Sequence, residues 1–506
     1  MSATIFAVLP PVIAIALALL TKEVYSSLLV GILAGAMLYC GGNPLHAAET
    51  TFSIMGSEIG DNIGILIFLV MLGILVSLVT KSGASRAYGE WASHAIKSRR
   101  GALLATSFLG IFIFVDDYFN CLTVGTVMRP VTDKYRVTRA KLAYIIDATA
   151  APVCIIAPIS SLAAAVTSSL PEDAGINGFT LFLNTIPFNL YALLTLAFIL
   201  WIMIADVDFL AMGKYNKRVL DSGKIDSTGE EATVICGSGS VKDLVIPILF
   251  LIAACLAAMI YSGGGIHELS LKAISDAFAN CSSSDALVLG SFAALIFTFL
   301  MYIPRGILTF QQFCESFTEG FKAMVPAIFI LTLAWTLSGI CSENYMDLRG
   351  FVAGFVAGFV NPESAIGLLM PAIFFLIALG LSFATGTSWG TFGILIPIAV
   401  SIFGANQMLT ITVAACLAGA VCGDHISPIS DTTILASAGA QCNHMDHVST
   451  QIPYALPIAG MCLAGYLVSG VTGNGWLGLA TGAVLLVIFA SVMTHYAKKT
   501  QRGQTR

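Results

Sequence analysis

The stretch Gly423-Asp424-His425-Ile426-Ser427-Pro428-Ile429-Ser430-Asp431-Thr432-Thr433 decides how this chain is read. It sets two carboxylates, an imidazole and four hydroxyls around one proline, inside sequence that is otherwise strongly apolar. From Gly350 to Val421 the only charged residue is Glu363. Ionisable side chains at membrane depth are costly, so they normally face a protein-lined cavity and mark an ion or substrate path. Proline removes a backbone donor and breaks a helix where it stands. An interrupted membrane helix, with freed carbonyls and half-helix ends, is a ready-made cation site. The competing reading is a polar loop at the membrane surface.

The composition supports the membrane reading. The 506 residues are 57% hydrophobic and only 10% charged, whereas ordinary globular chains are nearer a quarter charged. Mean hydropathy is +0.88. Apolar runs of about 20 residues, the length that crosses a bilayer core, recur near 4–20, 25–40, 62–80, 101–115, 140–170, 180–205, 243–262, 286–303, 322–340, 366–383, 408–437, 452–470 and 476–495. Met1 to Leu20 lacks a basic leader and reads as a first membrane helix, not a cleaved signal. The 12 cysteines stand singly, without a C-x-x-C pair, and read as small hydrophobes. The absence of a Walker-type glycine loop argues against an ATP-driven pump.

Basic residues set the orientation. Lys81, Arg86, Lys97, Arg99 and Arg100 form one group, Lys214, Lys217, Arg218 and Lys224 a second, and Lys498, Lys499 and Arg502 a third. All three are expected on the cytoplasmic side. The N-terminus is then outside and the C-terminus cytoplasmic. The polar segment 206–242 divides the chain and reads as a flexible cytoplasmic linker.

The two halves resemble each other at an offset of about 261 to 270. Ile67-Phe68 and Ser77 match Ile328-Phe329 and Ser338, and Pro158-Ile159-Ser160 matches Pro428-Ile429-Ser430. Asp116-Asp117-Tyr118-Phe119-Asn120 corresponds to the interruption Thr385-Gly386-Thr387-Ser388-Trp389-Gly390. Basic residues follow Ser77, while Glu343 and Asp347 follow Ser338, so equivalent elements sit on opposite faces. That is the pattern of inverted repeats. Gly101 to Asp116 is only about 15 residues, roughly 23 Å as helix, which fits a re-entrant hairpin with its tip near the midplane. Backbone at that depth must be buried in protein or line a cavity.

The expected fold is an all-α polytopic membrane protein with two inverted-topology repeats, each holding a re-entrant hairpin and a broken transmembrane helix. Residues 1–61 are N-terminal membrane helices and 62–205 the first repeat with a flanking helix. The linker is 206–242, with connecting helices at 243–321. The second repeat is 322–440, and 441–506 are C-terminal helices and a cytoplasmic tail.

Candidate ligands at the first tip and break are Asp116, Asp117, Asn120, Thr123, Ser160 and Ser161. Those of the second are Thr385, Thr387, Ser388, Asp424, Ser427, Ser430, Asp431, Thr432 and Thr433. Hard cations take oxygen ligands, and Asp424, Asp431 and Asp117 are the expected Na⁺ ligands. A carboxylate shielded from water can trade a proton for a metal ion near neutral pH, the simplest chemical basis of antiport. Asp116 or Asp117 could instead pair with a tyrosine or a basic residue. Asp147 belongs to the site or caps or pairs near the interface. His425 relays protons or is a bonded core histidine. His444 and His447 fall with Asp446 in an expected cytoplasmic loop and only weakly resemble a pH-sensing or metal cluster. Trp389 and Phe119 cover an organic ligand or simply pack.

"GDHISPISDTT", preceded by "GTSWGTFGILIPIA" and by the first-half "FVDDYFN", resembles the NhaC family of sodium/proton antiporters. The resemblance runs from the "LPPVIAIALALLTKEVYSSLLVGILAGA" opening to the last helices. It implies a bacterial inner-membrane transporter of the wider ion-transporter superfamily, with an elevator motion and a homodimer. Its partners are then the lipid bilayer, Na⁺ and H⁺, with no cofactor and no nucleic acid. Some relatives exchange organic acids or take up amino acids with Na⁺, so a small organic anion or amino acid stands as the alternative substrate. An ion channel and an intramembrane enzyme are the competing classes. Two closed polar tips argue against the first, and Pro428 spoils the shared face that Asp424 and Asp431 would need for the second.

Overall fold

The computed structural model describes residues 4–21, 23–114, 117–158, 160, 162–163, 166, 178–222, 236–264, 277, 281–348, 350–352, 354, 367–403 and 407–504. Among these residues the regular elements are all helical. The first half holds α1 (Leu9–Thr21), α2 (Val24–Tyr39), α3 (Pro44–Asp61), α4 (Ile63–Lys81), α5 (Ala84–Ala95), α6 (Arg99–Phe112), α7 (Asp117–Lys134), α8 (Arg139–Thr149), α9 (Ala151–Cys154), α10 (Gly178–Thr185), α11 (Leu190–Ala205) and α12 (Leu210–Ser222). The second holds α13 (Val241–Ser262), α14 (Ser283–Tyr302), α15 (Phe310–Ile340), α16 (Met370–Thr385), α17 (Ser388–Phe403), α18 (Gln407–Ile426), α19 (Asp431–Ala440), α20 (His444–Thr472) and α21 (Gly475–Gln504).

Nine helical segments among the described residues are long and apolar enough to cross a bilayer. The protein is a multi-pass membrane protein. Helices α2 and α3 meet at 118°. Gly41 and Gly42 turn the chain there at φ +63 and +88, and Asn43 caps α3 by accepting from the Leu45 and His46 N–H groups. Burial ranks the spans. Met408–Ile426 of α18 is 94% buried over its apolar window, against 17% for Gly475–His495 of α21. The broken helix is therefore the centre of the bundle.

The matched helices α4 and α15 run antiparallel. Lys81, at the end of α4, pairs with Glu315 at 3.2 Å and Glu319 at 2.9 Å, near the start of α15. Ser77 donates to Glu319 at 2.9 Å, and Gly73 lies against the backbone of Gly320. Equivalent segments of the two halves thus point in opposite directions, as inverted repeats require. In each half a hairpin follows. Helix α6, with 14 residues, turns into α7, and α16 turns at Gly386 into α17. At about 1.5 Å per residue the first arm reaches only ~21 Å, short of a ~30 Å hydrocarbon core.

Small residues bring these elements together. A Cβ on Gly419 or Gly423 of α18 would run into the Phe375 or Leu379 carbonyl of α16. This four-residue glycine spacing lets membrane helices approach closely. Gly125 of α7 and Gly439 of α19 make a similar backbone-to-backbone approach between the halves.

Within the segment 206–242, expected as a flexible linker, the described residues 206–222 are ordered against the bundle. Met212, Tyr215, Asn216 and Val219 are buried, so α12 is a docked helix. Arg99 holds Asp206 at 2.5 Å and Asp208 at 2.9 Å, and Lys141 also pairs with Asp208. The apolar positions of α12 recur at helical spacing, which mixed charge had obscured. Cys236 and Gly237 donate to the Lys81 carbonyl, tying the far end of the segment to α4.

Candidate functional site

The break between α18 and α19 is built by its own polar residues. The Ser427 N–H donates to the Asp424 carbonyl at 2.9 Å, and its hydroxyl donates to the Phe383 carbonyl of α16 at 2.8 Å. Ser430 caps α19, its hydroxyl accepting from the Thr433 N–H at 3.3 Å and pairing with Thr432 Oγ1 at 3.0 Å. Asp431 opens the first turn of α19, where the helix dipole favours an anion. At the other end of α19, Arg139 donates to the Ala440 carbonyl at 2.9 Å.

The hairpin tips close on this break. The Ser388 N–H, at the start of α17, donates to Asp424 Oδ2 at 3.2 Å. Asp424 Oδ1 and the Ser388 hydroxyl are buried with no hydrogen-bond partner among the described residues. From the first-half tip, the Tyr118 hydroxyl donates to Asp431 Oδ2 at 2.5 Å. Tyrosine pairing of a carboxylate therefore occurs across the halves, from the residue beside Asp117. Asp117 is 1% exposed and accepts from the Tyr118 N–H at 3.1 Å. Asp424 lies within electrostatic reach of Asp431, Asp117 and Asp147. Four carboxylates from separate segments thus share one neighbourhood.

Asp147 is buried inside the protein. Its Oδ2 accepts from Thr433 Oγ1 at 3.0 Å and Gln451 Nε2 at 2.9 Å. Gln451 also donates to the His425 carbonyl, and its Oε1 meets His447 Nε2 at 2.7 Å. His425 Nδ1 bonds the Tyr191 hydroxyl at 2.6 Å, while its Nε2 stands 4.0 Å from Asp147. The Tyr144 ring stacks on it at 6.1 Å between centroids. His425 is thus a packed and bonded core histidine that also faces a carboxylate.

The loop expected around His444 and His447 does not form. Asn443 caps α20 by accepting from the Asp446 N–H at 3.1 Å, which turns both imidazoles inward. His447 is fully buried. Ser437 Oγ lies 3.1 Å from His444 Nδ1 and 2.9 Å from His447 Nδ1, and His444 Nε2 reaches the Pro428 carbonyl at 2.7 Å. Among the described residues no three His, Cys, Asp or Glu side chains are placed to hold a metal ion between them. A cation bound at the break would need hydroxyl and carbonyl oxygens as well.

The remaining candidates make the following contacts. Asn120 Nδ2 donates to the Gly110, Ile113 and Thr149 carbonyls, bracing the first tip against the end of α8. Thr123 is buried on α7. Ser160 donates to the Cys154 carbonyl at 2.7 Å, holding the first break. Thr385 bonds back to the Leu381 carbonyl, and the Thr387 carbonyl accepts from Ser382 Oγ at 3.1 Å. Phe119 packs near Phe68 at 6.3 Å. Asp116 and Ser161 lie outside the described residues.

Asp431 also borders a cavity of about 320 Å³, with Tyr118, Thr385, Thr387 and Trp389 from the tips and Glu58, Asn62 and Trp335 from α3, the turn before α4 and α15. It lies toward the start of α4, at the end opposite Lys81. The reading of the sequence missed Tyr118, Gln451 and Glu58. His444, His447 and Gln451 recur at helical spacing within a polar stretch.

Comparison with known proteins now bears on these features. The profile of the Na⁺/H⁺ antiporter family matches residues 174–471. The chain belongs to the Na⁺/H⁺ antiporter family. As a member it is a membrane transporter of antiporter type, not an enzyme, in keeping with the resemblance carried by the broken-helix motif. It is 37% identical to an uncharacterised protein of Haemophilus influenzae, over 96% of this chain and 95% of that one. It is 39% identical to the arginine/ornithine antiporter ArcD of Halobacterium salinarum over 20% of this chain and 22% of that one. It is 27% identical to a malate-2H⁺/Na⁺-lactate antiporter of Bacillus subtilis over 34% of this chain and 39% of that one. The Alcanivorax borkumensis YdaH transporter aligns over 88% of this chain and 89% of its own, with a TM-score of 0.34 and 11% identity.

Proposed function

We propose that this family member exchanges Na⁺ for H⁺ across the bacterial cytoplasmic membrane, with Asp424 and Asp431 carrying the exchanged ions. The observation behind this reading is the convergence of carboxylates on the break: Tyr118, beside Asp117, donates to Asp431, the Ser388 N–H donates to Asp424, and Thr433 donates to Asp147. A carboxylate withdrawn from water is neutralised by a proton or by a cation, and each excludes the other. Asp424 Oδ1 and the Ser388 hydroxyl, both buried, are oxygens of the kind a hard cation takes. The N-terminus lies outside and the C-terminus in the cytoplasm on the bias of basic residues, with the groups Lys81 to Arg100, Lys214 to Lys224 and Lys498 to Arg502 on the cytoplasmic side. The test is a Na⁺ pulse on the protein in liposomes loaded with a pH dye and no organic solute. Proton movement in the wild type, lost in Asp431→Asn, supports the exchange. Silence in the wild type removes it.

The cavity favours a second reading, in which Na⁺ is coupled to an amino acid or small carboxylate. A pocket of about 320 Å³ is far larger than one bare ion requires, and it falls in the ~300–1,000 Å³ range of small-molecule sites.

A further inference from the structure

We infer that His447 holds a proton of its own, bridged through Ser437 to His444 and paired across the bundle with Asp147, a proton site separate from the exchange at the break. Counting hydrogens leads to it. A carbonyl oxygen only accepts, so the contact of His444 Nε2 with the Pro428 carbonyl at 2.7 Å needs a proton on that nitrogen. Gln451 is oriented by the same rule. Its amide nitrogen faces the Asp147 carboxylate at 2.9 Å and the His425 carbonyl, which leaves Oε1 toward His447 Nε2 at 2.7 Å. That contact needs a proton on His447 Nε2. Neutral imidazoles carry one proton each, so both Nδ1 atoms are then bare. They meet the same hydroxyl, Ser437 Oγ, at 3.1 Å from His444 and 2.9 Å from His447. A hydroxyl has a single proton to give, and the Thr433 carbonyl at 2.8 Å competes for it. With both rings neutral, one lone pair faces another. One added proton resolves this: His447 donates from both nitrogens, to Gln451 and Ser437, and Ser437 donates to His444.

The surroundings place the charge on His447. Its Nε2 stands 3.8 Å from Asp147 Oδ2, and both side chains are buried. Asp147 Oδ1 is buried with no hydrogen-bond partner among the described residues, so Thr433 and Gln451 do not use up the carboxylate. A buried charge is tolerated when it is paired and its remaining protons are bonded, and an imidazolium here meets both conditions. The neighbouring elements supply no better partner. On α8, Lys141 pairs with Asp208, and Arg139 with Asp133 and the Ala440 carbonyl. On α18, His425 faces the same Asp147 oxygen at 4.0 Å, with Nδ1 on the Tyr191 hydroxyl of α11 and Tyr144 of α8 stacked on its ring. Helix α16 carries no ionisable side chain, Asp446 of α20 is partly exposed, and His495 of α21 is exposed. The proton thus ties α8 of the first half to α20, behind Thr433 and two residues beyond Asp431. Its loss leaves Asp147 a buried anion without its counter-charge.

The test is nitrogen NMR of the full-length protein in detergent, labelled at histidine, across pH and with or without Na⁺. At about pH 7.5, where exposed histidines are mostly neutral, one ring is expected with both nitrogens protonated. That signal should be lost in His447→Gln and also in Asp147→Asn, which keeps the imidazole and removes only its counter-charge. Saturating Na⁺ should leave it in place. The thermal midpoint gives a second reading. The folded protein holds a proton that an unfolded histidine releases above about pH 6.5, so this stabilisation is full below that pH and is lost as pH rises through the titration of the signal. His447→Gln should lack that fall. No doubly protonated ring at about pH 7.5, or a ring that survives in both variants, overturns the inference. So does a ring displaced by Na⁺, because the proton would then belong to the exchange at the break. Where a variant does not fold, the wild-type titration and its response to Na⁺ decide alone. The liposome assay reads the exchange separately, so either proposal can fail while the other stands.

Discussion

Asp147 and Gln451 show how strongly single side chains are constrained here. Asp147 is 1% exposed, and Gln451 supplies one of its donors while also holding the His425 carbonyl and His447. Gln451→Leu keeps the volume and removes all three bonds. Leaving a buried carboxylate and carbonyl short of donors costs about 1–3 kcal/mol or more, so the thermal midpoint of the purified protein should fall by several degrees. An unchanged midpoint would mean that water or another side chain replaces the amide. Asp424→Asn should abolish transport with the protein still inserted, and wild-type exchange would remove Asp424 from the site. The aspartates were legible in the sequence because a charge in an apolar run is conspicuous. Gln451 and His447 were not, because their meaning depended on whether 441–447 is loop or helix. The structure settles that by the left-handed turn at Gln441 (φ 52) and the Asn443 cap. An Asn three residues before Asp446 was the available cue.

At the scale of elements, glycine sets the distances. Gly386 turns the second hairpin at φ +69, and a Cβ there would also strike the Ile429 carbonyl in the break. Gly386→Ala therefore strains the turn and pushes the tip from the broken helix at once. It should reduce transport several-fold while leaving insertion intact, as checked by surface expression and Na⁺-driven exchange. Gly439→Leu should be worse, since α19 lies backbone to backbone on α7 at Cys121. Overpacking of this kind costs about 1–3 kcal/mol, and more where backbone cannot yield, so loss of folded protein in fluorescence-detected gel filtration is expected. Normal yield and midpoint would contradict the packing. The hairpins and breaks were readable from short polar interruptions in apolar runs. The docking of α12 was not, because four buried residues among charged ones give only a faint helical stripe.

For the whole molecule, the antiparallel pairing of α4 with α15 gives two halves of opposite direction closing on one carboxylate cluster. The orientation proposed for that bundle predicts opposite labelling of its ends. In a background lacking native cysteines, Asp61→Cys should react with an impermeant thiol reagent added outside intact cells, and Lys217→Cys only after the membrane is opened. The reverse pattern would invert the assignment. The central claim is that the break between α18 and α19 exchanges Na⁺ for protons on the same carboxylates, and competition tests it most directly. The measurement is the Na⁺ concentration giving half-maximal proton movement in liposomes, taken across pH with Na⁺ as the sole substrate. Because the cation needs the deprotonated ligand, that concentration should rise toward about tenfold per pH unit on the acid side, and the signal should vanish in Asp431→Asn. A half-maximal concentration independent of pH, or full activity in Asp431→Asn, would contradict the account.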